Sequence, residues 1–186
     1  SKNTFIKKNF FLNIGRLVFN KDHRTLIKAF NYFLTLKTRK NKNYFLVIIG
    51  VGNLLKDIKS YIKELNLQKK VIILKNINNP YIFIKKSKIF ILSSKFEGYP
   101  NVLLEAQALN KKIISTDCKH GPREILDNGK YGYLVKTGDY KSLGLTMDKA
   151  LINKNNSISL IKLKKRNSLK LIALKYYNLF ENLNEK

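Results

Sequence analysis

A parallel, doubly wound α/β sheet is the architecture this sequence predicts, and three observations carry the prediction. Short continuous apolar runs such as Tyr44–Ile49 (YFLVII) and Ile89–Leu92 (IFIL) read as strands buried on both faces. Segments with apolar residues at three- and four-residue spacing alternate with those runs, which is the periodicity of helices covering a sheet. Polar loops follow the runs at residues 16–21, 50–52, 76–79, 93–101 and 117–122. Alternation of strand and helix implies parallel strands joined by right-handed crossovers, with all five loops gathered beyond the carboxyl ends of the strands.

Taken in order, residues 10–17 form an apolar run closing on Gly15-Arg16-Leu17, and polar Asn20, Lys21 and Asp22 follow. The spacing of Leu26, Ile27, Phe30, Phe33 and Leu34 predicts a helix with Asp22 as its N-cap. After the strand Tyr44–Ile49, Gly50-Val51-Gly52 turns the chain into a helix over 54–65. That Gly-x-Gly reads either as a tight turn or as a phosphate loop. Val71–Leu74 is a third strand, and a polar loop leads to a brief helix over Tyr81–Lys86. Ile89–Leu92 then enters the loop 93–100 and an apolar helix from Asn101. Asn110 stands where that helix ends, because Asn tolerates the left-handed backbone.

Residues 112–116 make the fifth strand, Pro122 opens a short helix through Leu126, and Tyr133–Val135 is the sixth strand. Asp139 caps a helix over Tyr140–Ile152. Beyond a break at 153–156, Leu169, Ile172, Tyr176, Leu179 and Leu183 form an apolar stripe surrounded by Lys and Arg. The stripe reads as a helix packed on its own domain, docked on an absent partner domain, or lying on an anionic membrane. Residues 1–152 are therefore expected to form one domain, and 153–186 a basic amphipathic helix completing or extending it.

Composition bounds the function. The chain has 186 residues, 44% of them hydrophobic, which suits one globular domain. No run reaches the roughly 18 apolar residues of a membrane-spanning helix, and no signal-peptide pattern is present. A single cysteine, Cys118, forms no internal disulfide and fits a reducing, cytoplasmic setting. Met147 is the only Met and the chain opens on Ser1, so a natural N-terminus is expected to have been cut away. The net charge is +25, yet among the 37 basic residues only Arg16, Arg24, Arg39, Arg123 and Arg166 are Arg. Dispersed Lys with abundant Asn and Ile looks like coding bias rather than the clustered, Arg-rich surface of a specific nucleic-acid reader. Such a field still draws in anionic nucleotides and acidic membrane surfaces.

The stretch that carries the chemistry is ILSSKFEGYPNVLLEAQAL, residues 91–109. Glu97 lies in its loop and Glu105 eight residues on, inside an otherwise apolar helix containing Val102, Leu103, Leu104 and Ala106. Burying an ionised carboxylate there costs on the order of a few kcal/mol unless a partner takes its lone pairs. The helix N-terminus beside Gly98 offers unpaired N–H groups and the positive end of a dipole, where an anion sits well. Taken alone, the spacing is equally that of a buried helix whose Glu105 pairs with a Lys and whose Glu97 is solvated.

The longer string SSKFEGYPNVLLEAQAL followed by IISTDCKHGPREIL resembles the nucleotide-sugar-binding half of the retaining GT-B glycosyltransferases of family four. It is most similar to bacterial members that build surface polysaccharides or lipid-linked oligosaccharides. The resemblance covers roughly residues 10–139. It implies a Rossmann-like domain, the C-terminal half of a GT-B fold, whose N-terminal acceptor half is missing. It implies transfer of a hexose or N-acetylhexosamine from a nucleotide sugar, with UDP expected and GDP or ADP left open. Arg16 and Lys21 fall at the family's diphosphate-binding positions, Glu97 at the position contacting the donor sugar, and Glu105 at the position taking the ribose hydroxyls. Arg16, Lys21 and Glu97 are thus the expected catalytic residues. Gly15, Gly50, Asn76, Ser94, Gly98, Tyr99, Pro100, Asn101 and Val102 complete the expected donor site. At Val51 and Asn53 the chain departs from the acidic and proline residues common in the family, and His120 replaces a usual Ser.

Such enzymes are thought to use the leaving phosphate itself and to need no metal, and no cofactor is expected here. The expected partners are the nucleotide sugar, the missing domain, a lipid-linked acceptor and the inner membrane face, with no specific nucleic acid. On this reading the fragment binds nucleotide but turns over little alone. A binding subunit that completes a separate partner's active site, and a basic nucleic-acid-binding module, are the alternative readings. His120 is a loop residue first and a donor contact second, and Arg123 and Glu124 read as pairing with neighbours.

Overall fold

The computed structural model describes residues 9–36, 43–153, 158, 160–166 and 168. Six strands form one sheet: β1 (Asn9–Ile14), β2 (Tyr44–Ile49), β3 (Val71–Leu74), β4 (Ile89–Leu92), β5 (Ile113–Thr116) and β6 (Tyr133–Val135). Their order is β3-β2-β1-β4-β5-β6, and every neighbouring pair is parallel. The helices are α1 (His23–Thr35), α2 (Leu55–Glu64), α3 (Tyr81–Lys86), α4 (Asn101–Ala108), α5 (Pro122–Ile125), α6 (Tyr140–Ile152) and α7 (Leu160–Arg166). The sheet is thus the Rossmann-like, doubly wound one that the apolar runs predict.

Strand side chains alternate between two cores, as the two-residue period requires. Phe11, Leu46, Ile48, Ile89 and Ile91 face α1, α2 and α6, while Phe10, Leu12, Val47, Ile49, Phe90 and Leu92 face α3, α4 and α5. Phe11 anchors the first core, its ring 5.0 Å from that of Phe33 and 5.4 Å from that of Tyr44. After β3 the chain crosses back to pair β4 beside β1, and the covering helices change face. Successive right-handed crossovers produce that arrangement. The order therefore reverses between β1 and β4, which opens a crevice at their carboxyl ends.

Caps follow the sequence. Asp22 accepts a hydrogen bond from the Thr25 N–H and Asp139 one from the Ser142 N–H, and Asn110 takes the left-handed conformation at φ 55°. The helix over Tyr81–Lys86 and the strand Tyr133–Val135 have the expected bounds, while the expected helix 54–65 is one residue shorter at each end. A 3-10 turn at Phe19–Lys21 and helix α7 carry no such signal. Ile158, before α7, and Leu163, on it, pack with Tyr131 in a small third core. The stripe from Leu169 to Leu183 lies outside the described residues. Among the described residues no helix is long and apolar enough to cross a membrane.

Two glycines fix how the loops after β1 and β2 meet. A Cβ on Gly50 would stand 1.9 Å from the Gly15 carbonyl oxygen, and one on Gly52 would stand 2.3 Å from that of Leu17. The backbones are tied there by Gly15 N–H to the Ile49 carbonyl and Leu17 N–H to the Val51 carbonyl. Gly50→Ala is therefore expected to destabilise the fold by about 1–3 kcal/mol. Gly98, with open space around it, should accept Ala within about 0.5 kcal/mol. Denaturant midpoints of the two variants test the contrast, and equal midpoints would remove the close-approach argument.

Candidate functional site

The reversal point brings the loop after β1, residues 15–22, against the loop after β4, residues 93–100. Buried polar side chains stitch the strand ends before the loops begin. Asn13 Nδ2 donates to the Ile91 carbonyl at 2.8 Å, and Thr116 Oγ1 donates to the Ser94 carbonyl at 2.6 Å. Ser93 Oγ then reaches across to the Lys21 carbonyl at 2.9 Å, and the Lys95 N–H donates to the Asn20 carbonyl at 2.8 Å. The last two bonds fix one loop relative to the other.

An ion pair closes this seam. Lys21 Nζ lies 2.5 Å from Glu97 Oε1, and the two side chains are only 18% and 8% exposed. Ser94, fully buried, donates its hydroxyl to the same Glu97 oxygen at 2.6 Å. Glu97 is therefore held in the crevice by a cation and a hydroxyl rather than solvated. Its charge is felt by Cys118, whose thiol is raised in pKa first by burial and then by the Glu97 carboxylate.

The remaining expected residues take up different places around this pair. Gly15 sits beside the Lys21 stem, 3.7 Å from a Cβ position to Lys21 Cδ. Arg16 is exposed, and no described side chain pairs with its guanidinium. Gly50 lies under the Gly15 carbonyl, so its lack of a side chain serves the loop contact directly. Asn76 is exposed at the start of the loop after β3, in the left-handed conformation at φ 50°. Gly98 is exposed with nothing within 4 Å of a Cβ position, leaving the backbone approachable.

Tyr99 is 46% exposed and its phenol is raised in pKa by burial of the part that is covered. Pro100 is buried at the N-cap of α4 and supplies no side-chain cap, so the first N–H groups of the helix at Asn101 and Val102 stay uncapped. Asn101 is exposed, and Val102 packs against the second core. Glu105, one turn further along, is half-buried, and among the described residues nothing pairs with its carboxylate. No Lys takes it.

The loop after β5 completes the wall. Gly121 adopts φ 82°, and a Cβ there would stand 2.2 Å from the Gly98 carbonyl oxygen, so the two loops interlock. His120 is exposed on this loop, and Arg123 pairs with Asp117 beside it. Among the described residues no three His, Cys, Asp or Glu side chains cluster as a metal site. The assembled groups are two cations, two carboxylates and an uncapped helix N-terminus. That set can bind an anion and a polyol side by side.

Two residues next to this site gave no separate sequence signal. His23, following Asp22, is 2% exposed, and neither ring nitrogen has a hydrogen-bond partner. A cavity of about 80 Å³ borders it, lined among others by Phe19, Asp22, Leu54 and Lys95. Burial lowers the His23 pKa from 6.5 to about 4, Asp22 opposing the shift and Lys21 adding to it. Lys95 also lines that cavity, its ammonium 4.0 Å from Asp22 Oδ2.

Comparison with known proteins bears on these groups. The family described as "Glycosyl transferases group 1" matches residues 1–170. An uncharacterized glycosyltransferase of Methanocaldococcus jannaschii is 42% identical over 148 residues, covering 73% of this chain and 36% of that protein. The N-acetylgalactosamine-N,N'-diacetylbacillosaminyl-diphospho-undecaprenol 4-alpha-N-acetylgalactosaminyltransferase of Campylobacter jejuni is 39% identical over 138 residues, covering 74% of this chain and 36% of that protein. This chain thus spans little more than a third of the length of the curated relatives it matches. Among solved structures, a mutant of TarM from S. aureus in complex with Fondaparinux, alpha-GlcNAc-glycerol and UDP matches with a TM-score of 0.81. Identity is 21%, over 93% of this chain and 35% of that one, which establishes the likeness of fold.

The buried imidazole makes a prediction of its own. The unfolded chain takes up the His23 proton near pH 6.5 and the folded chain only near pH 4, so the unfolded state holds more protons between them. This contribution to stability is full above about pH 6.5 and falls as the pH drops toward 4, by up to about 3 kcal/mol. Urea midpoints measured across that window should fall more steeply for the native chain than for His23→Leu. Parallel curves would show that the imidazole is not held neutral by burial.

Proposed function

We propose that this chain, which belongs to the glycosyl transferases group 1 family, forms the donor-binding, C-terminal half of a retaining glycosyltransferase. The whole enzyme moves a hexose or N-acetylhexosamine from a nucleotide sugar, UDP-linked by preference, to a lipid-linked or growing glycan acceptor. The observation that carries the reading is the half-buried Glu105 one turn inside α4, unpartnered among the described residues, on the helix that follows the loop of the Lys21–Glu97 pair at the reversal of strand order. Support for the acceptor class comes from the Campylobacter relative, whose name specifies a diphospho-undecaprenol substrate. Support for the donor comes from the UDP bound in the TarM structure, a protein of the same fold.

The proposed mechanism follows from the charges. Glu105 accepts two hydrogen bonds from the vicinal ribose hydroxyls, which is what a carboxylate without a protein partner is free to do. Arg16 and Lys21 hold the diphosphate, and fixed cations there stabilise the charge that grows as the bond from the sugar C1 to the leaving oxygen breaks. An acceptor hydroxyl attacks C1 from the same face, forming the new glycosidic bond, and its proton passes to the departing diphosphate oxygen. Configuration is retained, and no metal or separate cofactor takes part. Glu97 turns from Lys21 toward the sugar hydroxyls when the donor arrives, and the uncapped N–H groups of α4 face the donor phosphate and sugar. Acceptor binding belongs to the N-terminal half, so this chain alone binds nucleotide and transfers little. The enzyme works in the cytoplasm, against the inner membrane face.

Calorimetric titration of UDP, GDP and ADP into the chain and into Glu105→Gln tests the reading, at moderate salt so that the net charge is screened. One nucleotide should bind selectively, and the substitution should weaken it by roughly tenfold or more. Equal binding of all three, unaffected by the substitution, would mean that only the field of the chain is being measured.

A further inference from the structure

Lys21 is followed by a residue under unusual demands. Asp22 adopts φ 45°, a left-handed backbone that Asp tolerates better than most residues but not freely. One carboxylate oxygen caps α1 through the Thr25 N–H at 3.3 Å. The other, Oδ2, is buried and has no hydrogen-bond partner among the described residues. A buried, unanswered carboxylate oxygen is costly, so a cation close to it has a defined task. The Lys95 ammonium is that cation, at 4.0 Å.

Lys95 is placed by the opposite loop. It stands two residues before Glu97, its N–H is bonded to the Asn20 carbonyl at 2.8 Å, and its ammonium lies 4.2 Å from the centre of the Phe19 ring. The two loops therefore exchange charges reciprocally. The loop after β1 gives Lys21 to Glu97, and the loop after β4 gives Lys95 to Asp22. We infer that Lys95 is a positioning residue for the donor site, acting through Asp22 to hold the backbone from which Lys21 projects. The inference rests on the donor-site reading above. It adds a function for a side chain outside the expected binding set.

The argument is one of succession. A donor that engages Lys21 through its diphosphate and Glu97 through its sugar ends the pairing of those two residues with each other. Of the ion pairs joining the two loops among the described residues, Lys95–Asp22 then remains. Lys95 and Asp22 both line the cavity that Phe19 and His23 share. The loops stay clasped while the first pair is redeployed.

The test is a double-mutant cycle on nucleotide binding. Whichever of UDP, GDP and ADP binds the native chain most tightly is titrated into Lys95→Met, Lys21→Met and the double variant, with Lys95→Arg as rescue. Lys69→Met, next to the amino end of β3, removes the same charge far from the loops. Lys95→Met should weaken binding by roughly fivefold or more, Lys95→Arg should restore it, and Lys69→Met should leave it unchanged. In the Lys21→Met background the Lys95 change should add nothing, because its effect passes through Lys21. If Lys95→Met fails to fold, Asp22→Asn, which keeps the cap and tolerates the left-handed backbone, should give the same loss. Additive losses, or an effect equalled by Lys69→Met, would overturn the positioning role while leaving the donor site intact. Absence of selective nucleotide binding by the native chain would overturn both.

Discussion

Pairing of β1 directly with β4 is the constraint from which the rest of the site follows. Two strands, β2 and β3, run outward from β1 on one side and three, β4 to β6, on the other, so the chain must cross back over the sheet once, after β3. Helices α1, α2 and α6 cover one face and α3, α4 and α5 the other, and the crevice lies beyond the carboxyl ends of β1 and β4. Polar groups can exist at that seam only if they answer one another. Asn13, Ser93, Ser94 and Thr116, each at most 2% exposed, do so across the strand ends. They make a rigid floor, and the Lys21–Glu97 pair stands on it.

That pair is informative because of what it costs. Two charges taken largely out of water lose several kcal/mol of hydration each, which mutual attraction recovers only with good geometry and further hydrogen bonds. The Ser94 hydroxyl supplies one such bond, yet an apolar pair would hold the two loops at least as well. Retaining charge at the mouth of a crevice thus argues for a task other than stability. Glu105 makes the complementary case: a carboxylate half-buried and without a partner among the described residues is a standing cost unless something else satisfies it.

Much of this was legible from residue patterns because it depends on local periodicity. Apolar runs gave the strands, Asp22 and Asp139 the helix starts, and Asn110 a helix end, since each acts within one turn of its own position. The expected site loops share one edge for the same reason, strand direction alone fixing which ends gather. What local pattern cannot give is contact across the seam. Lys95 looks like one lysine among many until the fold sets it against Asp22, seventy-three positions earlier in the chain. His23 reads as polar, whereas the packing of α1 buries it, and Gly50-Val51-Gly52 leaves two readings open until the Gly15 and Leu17 carbonyls are seen against it. Polar residues at the ends of apolar strands, Asn13 and the Ser93-Ser94 pair, were the available signal for the floor. They stand out because buried polar atoms there require partners.

The excess of lysine sharpens the distinction between field and site. Several lysines have structural work: Lys111 donates to the Lys85 and Ser87 carbonyls at the end of α3, and Lys112 to the Ala150 and Asn153 carbonyls at the end of α6. Burial lowers the pKa of both, and their side chains lie against the negative ends of the helices. The other exposed lysines raise the concentration of any anion near the surface without choosing between them, and salt screens that effect within about 10 Å. Selection must therefore come from groups whose positions are fixed at short range. Lys21, Glu97 and Glu105 meet that condition, because two answer each other on a hydrogen-bonded floor and the third is carried by a helix rooted in the second core. Arg16, exposed and unpaired, meets it only through the backbone that Gly15 and Leu17 tie to β2. The discriminating part of the site is consequently the seam itself, and the surrounding charge contributes attraction without identity.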